Sequence, residues 1–159
     1  MTSRTGVESE LAQIRSRDGL NLVADRYGPA DGQPVIFMHG GGQTRHSWGG
    51  TAMEMARRGC SAFTCDHRGH GDSDWSPEGA YAFEDNAGDL REWAAFVGRP
   101  PVVIGASLGG IAAMLALGHE PMVQARALVL VDIAPLMERT GTDRIISFMR
   151  ENMESGFAR

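Results

Sequence analysis

"VVIGASLGG" (residues 102–110) runs a β-branched apolar stretch into a serine framed by glycines. A short continuous apolar run of this kind is the pattern of a strand buried on both faces. The residues that follow, 108–118, are small and apolar all round, as in a helix packed tightly on a sheet. Gly105-Ala106-Ser107-Leu108-Gly109 therefore reads as a sharp strand-to-helix turn of the form G-x-S-x-G. Bulky side chains beside the serine would block such a bend, and glycines do not. The bend lifts the serine Oγ above the sheet edge and sets it on a helix N-terminus, where N–H groups lack partners and the dipole is positive. The Leu108 N–H can then face an oxyanion. A serine helix cap in a glycine-rich turn would use the same residue types, so the motif alone does not decide.

Outward from this stretch the same form recurs. "PVIFMHG" (34–40), "SAFTCD" (61–66) and "ARALVLVD" (125–132) each read as strands buried on both faces. Helical patterns lie between them. Residues 47–58 carry Trp48, Met53, Met55 and Ala56 ahead of Arg57-Arg58-Gly59, a basic last turn with a glycine stop. Residues 83–97 place Ala87, Leu90, Ala94 and Val97 on one stripe, and 142–154 place Ile145, Ile146, Met149 and Met153 at helical spacing. "LAQIRS" (11–16) and "LNLVADRYG" (20–28) alternate around Asp18-Gly19, which predicts an antiparallel hairpin on a two-residue turn. The order predicts an α/β fold, a mostly parallel sheet with helices on both faces. Ligands of such sheets bind at the carboxyl ends of the strands. Here those ends carry His39-Gly40, Asp66, Ser107 and Asp132.

Composition narrows the function classes. The 159 residues suffice for one domain with a sizeable core. The net charge is −5, which gives no electrostatic reason to expect nucleic acid or an anionic membrane as partner. All 15 basic residues are arginine, so lysine Schiff-base chemistry and a P-loop are excluded. Cys60 and Cys65 flank a strand too far apart to bridge and read as free thiols in a reducing compartment. The opening "MTSRTGVESE" has no apolar signal region and no apolar run approaches a membrane span, so a cytoplasmic location is expected.

Two further motifs bear on Ser107. In "HGGGQTRHSW" (39–48) a glycine run after a buried strand lets backbone N–H groups approach a ligand closely, and Gly41 is the candidate second oxyanion donor beside Leu108. A phosphate loop would need G-K-[ST], and a dinucleotide fingerprint G-x-G-x-x-G; neither occurs. "DHRGHGDSD" (66–74) crowds Asp66, His67, His70, Asp72 and Asp74 after Cys65. Its spacing fits no H-E-x-x-H or paired-cysteine metal template. The better reading has Arg68 and the carboxylates tying down a tight turn beneath the site. No metal and no cofactor is expected.

Taken together, "FMHGGG", "DHRGHGDSD", "GASLGG" and "LVLVDIAP" resemble the α/β-hydrolase superfamily in order and spacing, from about Leu11 to about Pro135. More narrowly the chain is similar to cofactor-free bacterial hydrolases described as non-haem peroxidases or haloperoxidases. The resemblance implies Ser107 as nucleophile with Gly41 and Leu108 as oxyanion donors. A serine at the elbow argues against the epoxide hydrolase and haloalkane dehalogenase branches, which use aspartate there. The family's triad runs Ser, Asp or Glu, His along the chain. After Ser107 the sequence has only His119, about 18 Å away at the far end of the same helix. His39 braces its own loop on this reading, and His46 is a weak candidate for the base. Asp132, at the end of the sixth strand, is a candidate acid or else a residue that turns the chain.

By the same resemblance, residues 1–135 correspond to the N-terminal part of the hydrolase core and 136–159 to the start of a helical cap. The last two strands and most of the cap are then missing, with the triad histidine among them. The expected function is a serine hydrolase acting on an ester or related acyl substrate through an acyl-enzyme, with this segment alone inactive. The alternatives are a non-catalytic binding protein on the same fold and a cofactor-free perhydrolase. "ALVLV" (127–131) would be an exposed apolar edge, which predicts a homo-oligomer or a missing C-terminal segment at that strand. Trp48 and Trp75 either line an entrance or pack on the nearest helix.

Overall fold

The period-two alternation of residues 9–27 produces a hairpin. Strand β1 (Ser9–Arg15) pairs antiparallel with β2 (Asn21–Tyr27), Arg15 opposite Asn21 and Ser9 opposite Tyr27. The computed structural model describes residues 8–134, together with positions 147 and 150. The hairpin turn differs from the sequence expectation. The Gly19 N–H donates to the Ser16 carbonyl at 3.0 Å, so Arg17 and Asp18 are the central residues and Gly19 follows with φ 88°. The Ser16 hydroxyl selects this form. It donates to Asp18 Oδ1 (2.6 Å) and accepts the Leu20 N–H (2.8 Å), closing a three-residue loop on a left-handed glycine.

The apolar runs become β3 (Gln33–Met38), β4 (Cys60–Cys65), β5 (Val102–Ala106) and β6 (Ala127–Val131), all mutually parallel. The sheet order is β1-β2-β4-β3-β5-β6, and β2 runs antiparallel to β4. Three helices connect the parallel strands. A 3₁₀ turn (Arg45–Trp48) leads into α1 (Gly49–Arg57), followed by α2 (Phe83–Val97) and α3 (Leu108–Gly118). The expected helix over 47–58 thus begins as a 3₁₀ turn, and it stops at Gly59 with φ 85°.

Alternate residues of β3 face opposite layers, as a strand requires. Ile36 and Met38 pack with Ala87, Leu90 and Trp93 of α2 and with Ala113 and Ala116 of α3. Val35 and Phe37 pack with Ala52 and Ala56 of α1 on the other face. Pro34 through Met38 are all buried, hence the unbroken apolar run. The expected stripe of α2 faces the core: Ala87 and Leu90 are buried, Ala94 and Val97 pack half-buried against the same cluster, and Asn86, Asp89 and Trp93 widen the buried face.

The winding fixes where a site can form. From β3 the chain crosses by α1 to β4 on one side, and from β5 it crosses by α3 to β6 on the other. The two crossovers leave neighbouring strands in opposite directions, which makes the carboxyl ends of β3 and β5 the switch point at which ligands of such sheets bind. Those ends lead into His39 and Ser107.

β6 lies at the sheet edge, as expected for an exposed apolar strand, and corrects the expectation of double burial. It is not buried on both faces: its residues alternate exposed and half-buried, with Val129 and Val131 exposed. Among the described residues it pairs with β5 alone, at the end of the sheet. The expected cap segment, 136–159, and the helix over 142–154 lie outside the described residues, apart from Ser147 and Arg150, which are helical and exposed. Among the described residues no helix is long and apolar enough to cross a membrane.

Candidate active site

β5 ends at Ala106 and α3 begins at Leu108, so Ser107 alone makes the corner. Its backbone sits at φ 46°, ψ −113°, a region that side chains rarely adopt. Residues held so are strained by about 1–3 kcal/mol and persist where the surroundings dictate them. Here the surroundings are explicit. The Ser107 N–H donates to the Val131 carbonyl (3.3 Å), and its carbonyl accepts from Ile111 (3.0 Å). The Gly109 N–H donates to the His39 carbonyl (3.2 Å), tying the helix start to the end of β3. The Ser107 side chain is exposed.

Two glycines make the corner sterically feasible. A Cβ on Gly105 would lie 2.5 Å from the Gly109 carbonyl oxygen and 2.7 Å from Gly110 Cα. One on Gly109 would press into the Met38 carbonyl and lie 2.7 Å from the Met38 Cβ. Strand, helix and neighbouring strand approach closer here than any side chain permits. Leu108 opens α3, so its N–H has no intrahelical acceptor.

The loop after β3 lies against this corner. A Cβ built on Gly40 would stand 3.5 Å from the Ser107 Cβ. The loop is braced on both sides of Gly41. The Gly40 N–H donates to Gln43 Oε1 (3.0 Å), and its carbonyl accepts from the Gln43 N–H (3.2 Å) and from His39 Nδ1 (2.7 Å). The Gly42 N–H donates to His70 Nε2 (3.2 Å). Gly41 lies exposed between them, and its N–H is given no acceptor among the described residues.

Three imidazoles support the loop from beneath. The His39 and His67 rings meet edge to face at 4.6 Å, and His70 lies 5.2 Å from His39. His39 Nε2 accepts the His67 backbone N–H, while His67 Nε2 donates to the His39 carbonyl. Each of His39 and His70 meets a carbonyl at Nδ1 and an N–H at Nε2, so Nδ1 is the ring donor and Nε2 the acceptor. Burial pushes the His39 pKa down. Burial, helped by the nearby His39, pushes His67 down to about 3.

Arg45 anchors the outer end of the loop. It is buried and pairs with Asp66, and its backbone N–H donates to the same carboxylate at 2.7 Å. Asp72 lies 2.7 Å and Asp25 3.2 Å from the guanidinium. Asp66 also accepts the Asp72 N–H, and a side chain on Gly71 (φ 53°) would run into it. The tight turn at 66–74 is therefore tied down by its carboxylates and by Arg68, as expected, each through partners outside the turn. Arg68 bonds Asp89 of α2 through two 2.7 Å contacts, and Asp18 of the hairpin turn, instead of the carboxylates beside it.

The remaining candidates fall elsewhere. Asp132 follows β6, exposed, at φ 53°; the carbonyl of its neighbour Val131 receives the Ser107 N–H. His46 is largely exposed, 3.7 Å from Asp25. His119 caps the far end of α3. Trp48 packs on Phe37 at 5.2 Å, and Trp75 is exposed beside Tyr81. Among the described residues no three His, Cys, Asp or Glu side chains converge as a metal site. A groove of about 430 Å³ between the C-terminal ends of α2 and α3, lined by Arg91, Gly98 and Met122, lies at the opposite end of the sheet from Ser107. Sequence reasoning missed Gln43, which braces Gly40 within its own loop, and Arg45, Asp25 and Asp89, whose partners lie far along the chain.

A sequence profile of the alpha/beta hydrolase family matches residues 35–157. The chain belongs to the alpha/beta hydrolase family. The chain is 34% identical over 136 residues to the esterase Rv0045c of Mycobacterium tuberculosis, covering 83% of the chain and 43% of that protein. It is 29% identical to a non-heme chloroperoxidase of Streptomyces lividans, covering 84% and 49%. The crystal structure of an alpha/beta hydrolase from Novosphingobium aromaticivorans superposes with a TM-score of 0.79 at 30% identity, over 90% of this chain and 50% of that one. The chain thus spans about half the length of the relatives it matches.

Proposed function

We propose that this alpha/beta hydrolase carries the nucleophile and oxyanion half of a serine hydrolase acting on an ester or related acyl compound. The observation that carries the reading is the exposed Ser107 at a positive φ, on the corner between β5 and α3 and against the glycine loop. Similarity to an esterase supports the substrate class. Ser107 Oγ attacks the acyl carbonyl and expels the alcohol, leaving an acyl-enzyme that water hydrolyses. The negative charge on the carbonyl oxygen is received by the N–H groups of Leu108 and Gly41. Donors of this kind are each worth about 10²–10³ in rate.

None of the described histidines is hydrogen-bonded to Ser107, and His39, His67 and His70 are committed to holding the loop. The general base on this reading is not one of these histidines, and Asp132 beside the elbow is the candidate acid. The segment described here is accordingly expected to turn over little substrate alone. A second reading, perhydrolysis, uses the same serine and is favoured by the chloroperoxidase relative. The test is hydrolysis of short-chain p-nitrophenyl esters by the intact protein and by Ser107→Ala. Loss of the acylation burst in the variant supports the serine mechanism, and an undiminished burst refutes it. Adding hydrogen peroxide with acetate then separates the hydrolase from the perhydrolase.

A further inference from the structure

Resting on Ser107 as the nucleophile, we infer that His70 is a positioning residue for the oxyanion loop, acting through Gly42. His70 belongs to the turn after β4, 28 residues from the loop it touches. Its Nδ1–H donates to the Arg68 carbonyl (3.1 Å), which fixes the ring and its tautomer. Nε2 is thereby left as an acceptor, and it takes the Gly42 N–H at 3.2 Å.

That bond does two things to the proposed donor. Gly42 sits at φ 76°, and the bond holds it there, so the peptide leading out of Gly41 has a fixed course. It also consumes the Gly42 N–H, while Gln43 consumes that of Gly40, so within the loop the Gly41 N–H is the one left to join Leu108 at the oxyanion. The groups around the His70 ring are His39, His67 and the Arg68 backbone; Asp66 stands 3.8 Å from His39. No carboxylate hydrogen-bonds the His70 ring among the described residues, and its Nε2 serves as the acceptor of the Gly42 N–H. His70 is half-buried, whereas His39 and His67 are fully buried, so His70 is the member of the cluster that can be changed with least damage to the core.

The test uses the intact protein with a fluorophosphonate probe. Labelling rate, thermal midpoint and amide exchange of the 39–44 segment are measured for wild type, Ser107→Ala, His70→Ala and His70→Gln. Glutamine restores an uncharged acceptor near the position of Nε2. His70→Ala should label between about fivefold and 10²-fold more slowly, bracketed by one hydrogen bond and one whole oxyanion donor. Its loop amides should exchange about fivefold faster. His70→Gln should recover most of both, at a thermal midpoint equal to that of the alanine variant. Wild-type labelling by His70→Ala, or equal slowing in both variants, overturns the inference while leaving Ser107 as nucleophile. Labelling of Ser107→Ala at the wild-type rate overturns the nucleophile itself and the inference with it.

Discussion

Acid should unfold this protein through His67 in particular. The ring is fully buried, and its Nε2–H is spent on the His39 carbonyl. Protonation there places a charge where water cannot reach, so the folded-state pKa falls to about 3 from an ordinary 6.5. As pH drops, the unfolded chain takes up the proton first. The stabilisation is complete above about 6.5 and is lost steadily down to about 3, at about 1.4 kcal/mol per pH unit. Between pH 7.5 and 4.5 this one group accounts for about 3 kcal/mol. His67→Gln keeps a donor for His39 and cannot charge, so it isolates the contribution from the many carboxylates. Urea unfolding of both proteins at the two pH values measures it. With an m-value of about 2 kcal/mol/M, the wild-type midpoint should fall by about 1.5 M more than that of the variant. Parallel losses in the two proteins would refute the argument that burial holds His67 neutral.

The elbow and its supports yield further expectations. Ser107→Gly should be more stable than Ser107→Ala by about 1 kcal/mol in thermal or urea unfolding, because glycine relieves φ 46° and alanine does not. Gly109→Ala should destabilise by about 1–3 kcal/mol or fail to fold, since its Cβ meets the Met38 backbone; Gly41→Ala, with open space around it, should fold normally by circular dichroism. Arg45→Met should lower stability by about 3–5 kcal/mol in urea, because it strips the buried Asp66 of its counter-charge.

The elbow was legible in the sequence because its causes are local. Gly105 and Gly109 are glycine where backbone approaches backbone, and the strand before and the helix after supply the rest. The element order and the mostly parallel sheet followed from alternation of apolar runs and helices, and the apolar run of β3 matches its five successive buried residues. Partnerships across long separations left no such mark. Arg68 has Asp66, Asp72 and Asp74 as sequence neighbours, yet it bonds Asp89 and Asp18, 21 and 50 positions away. Nothing about Gln43 in a polar loop signals that its amide holds Gly40. The hairpin turn was misplaced by one residue because the Ser16 hydroxyl, not the Asp-Gly pair, selects the turn. β6 reads as apolar as β3 but is exposed on alternate residues, since pattern records what a side chain is and not how many neighbours its strand has.

The most direct test is to treat the intact protein with a fluorophosphonate and map the adduct by peptide mass spectrometry. A single phosphonate on the peptide containing Ser107, absent from Ser107→Ala, is the predicted result. An adduct on another residue, or one that survives in the variant, would contradict the assignment of acyl chemistry to this corner.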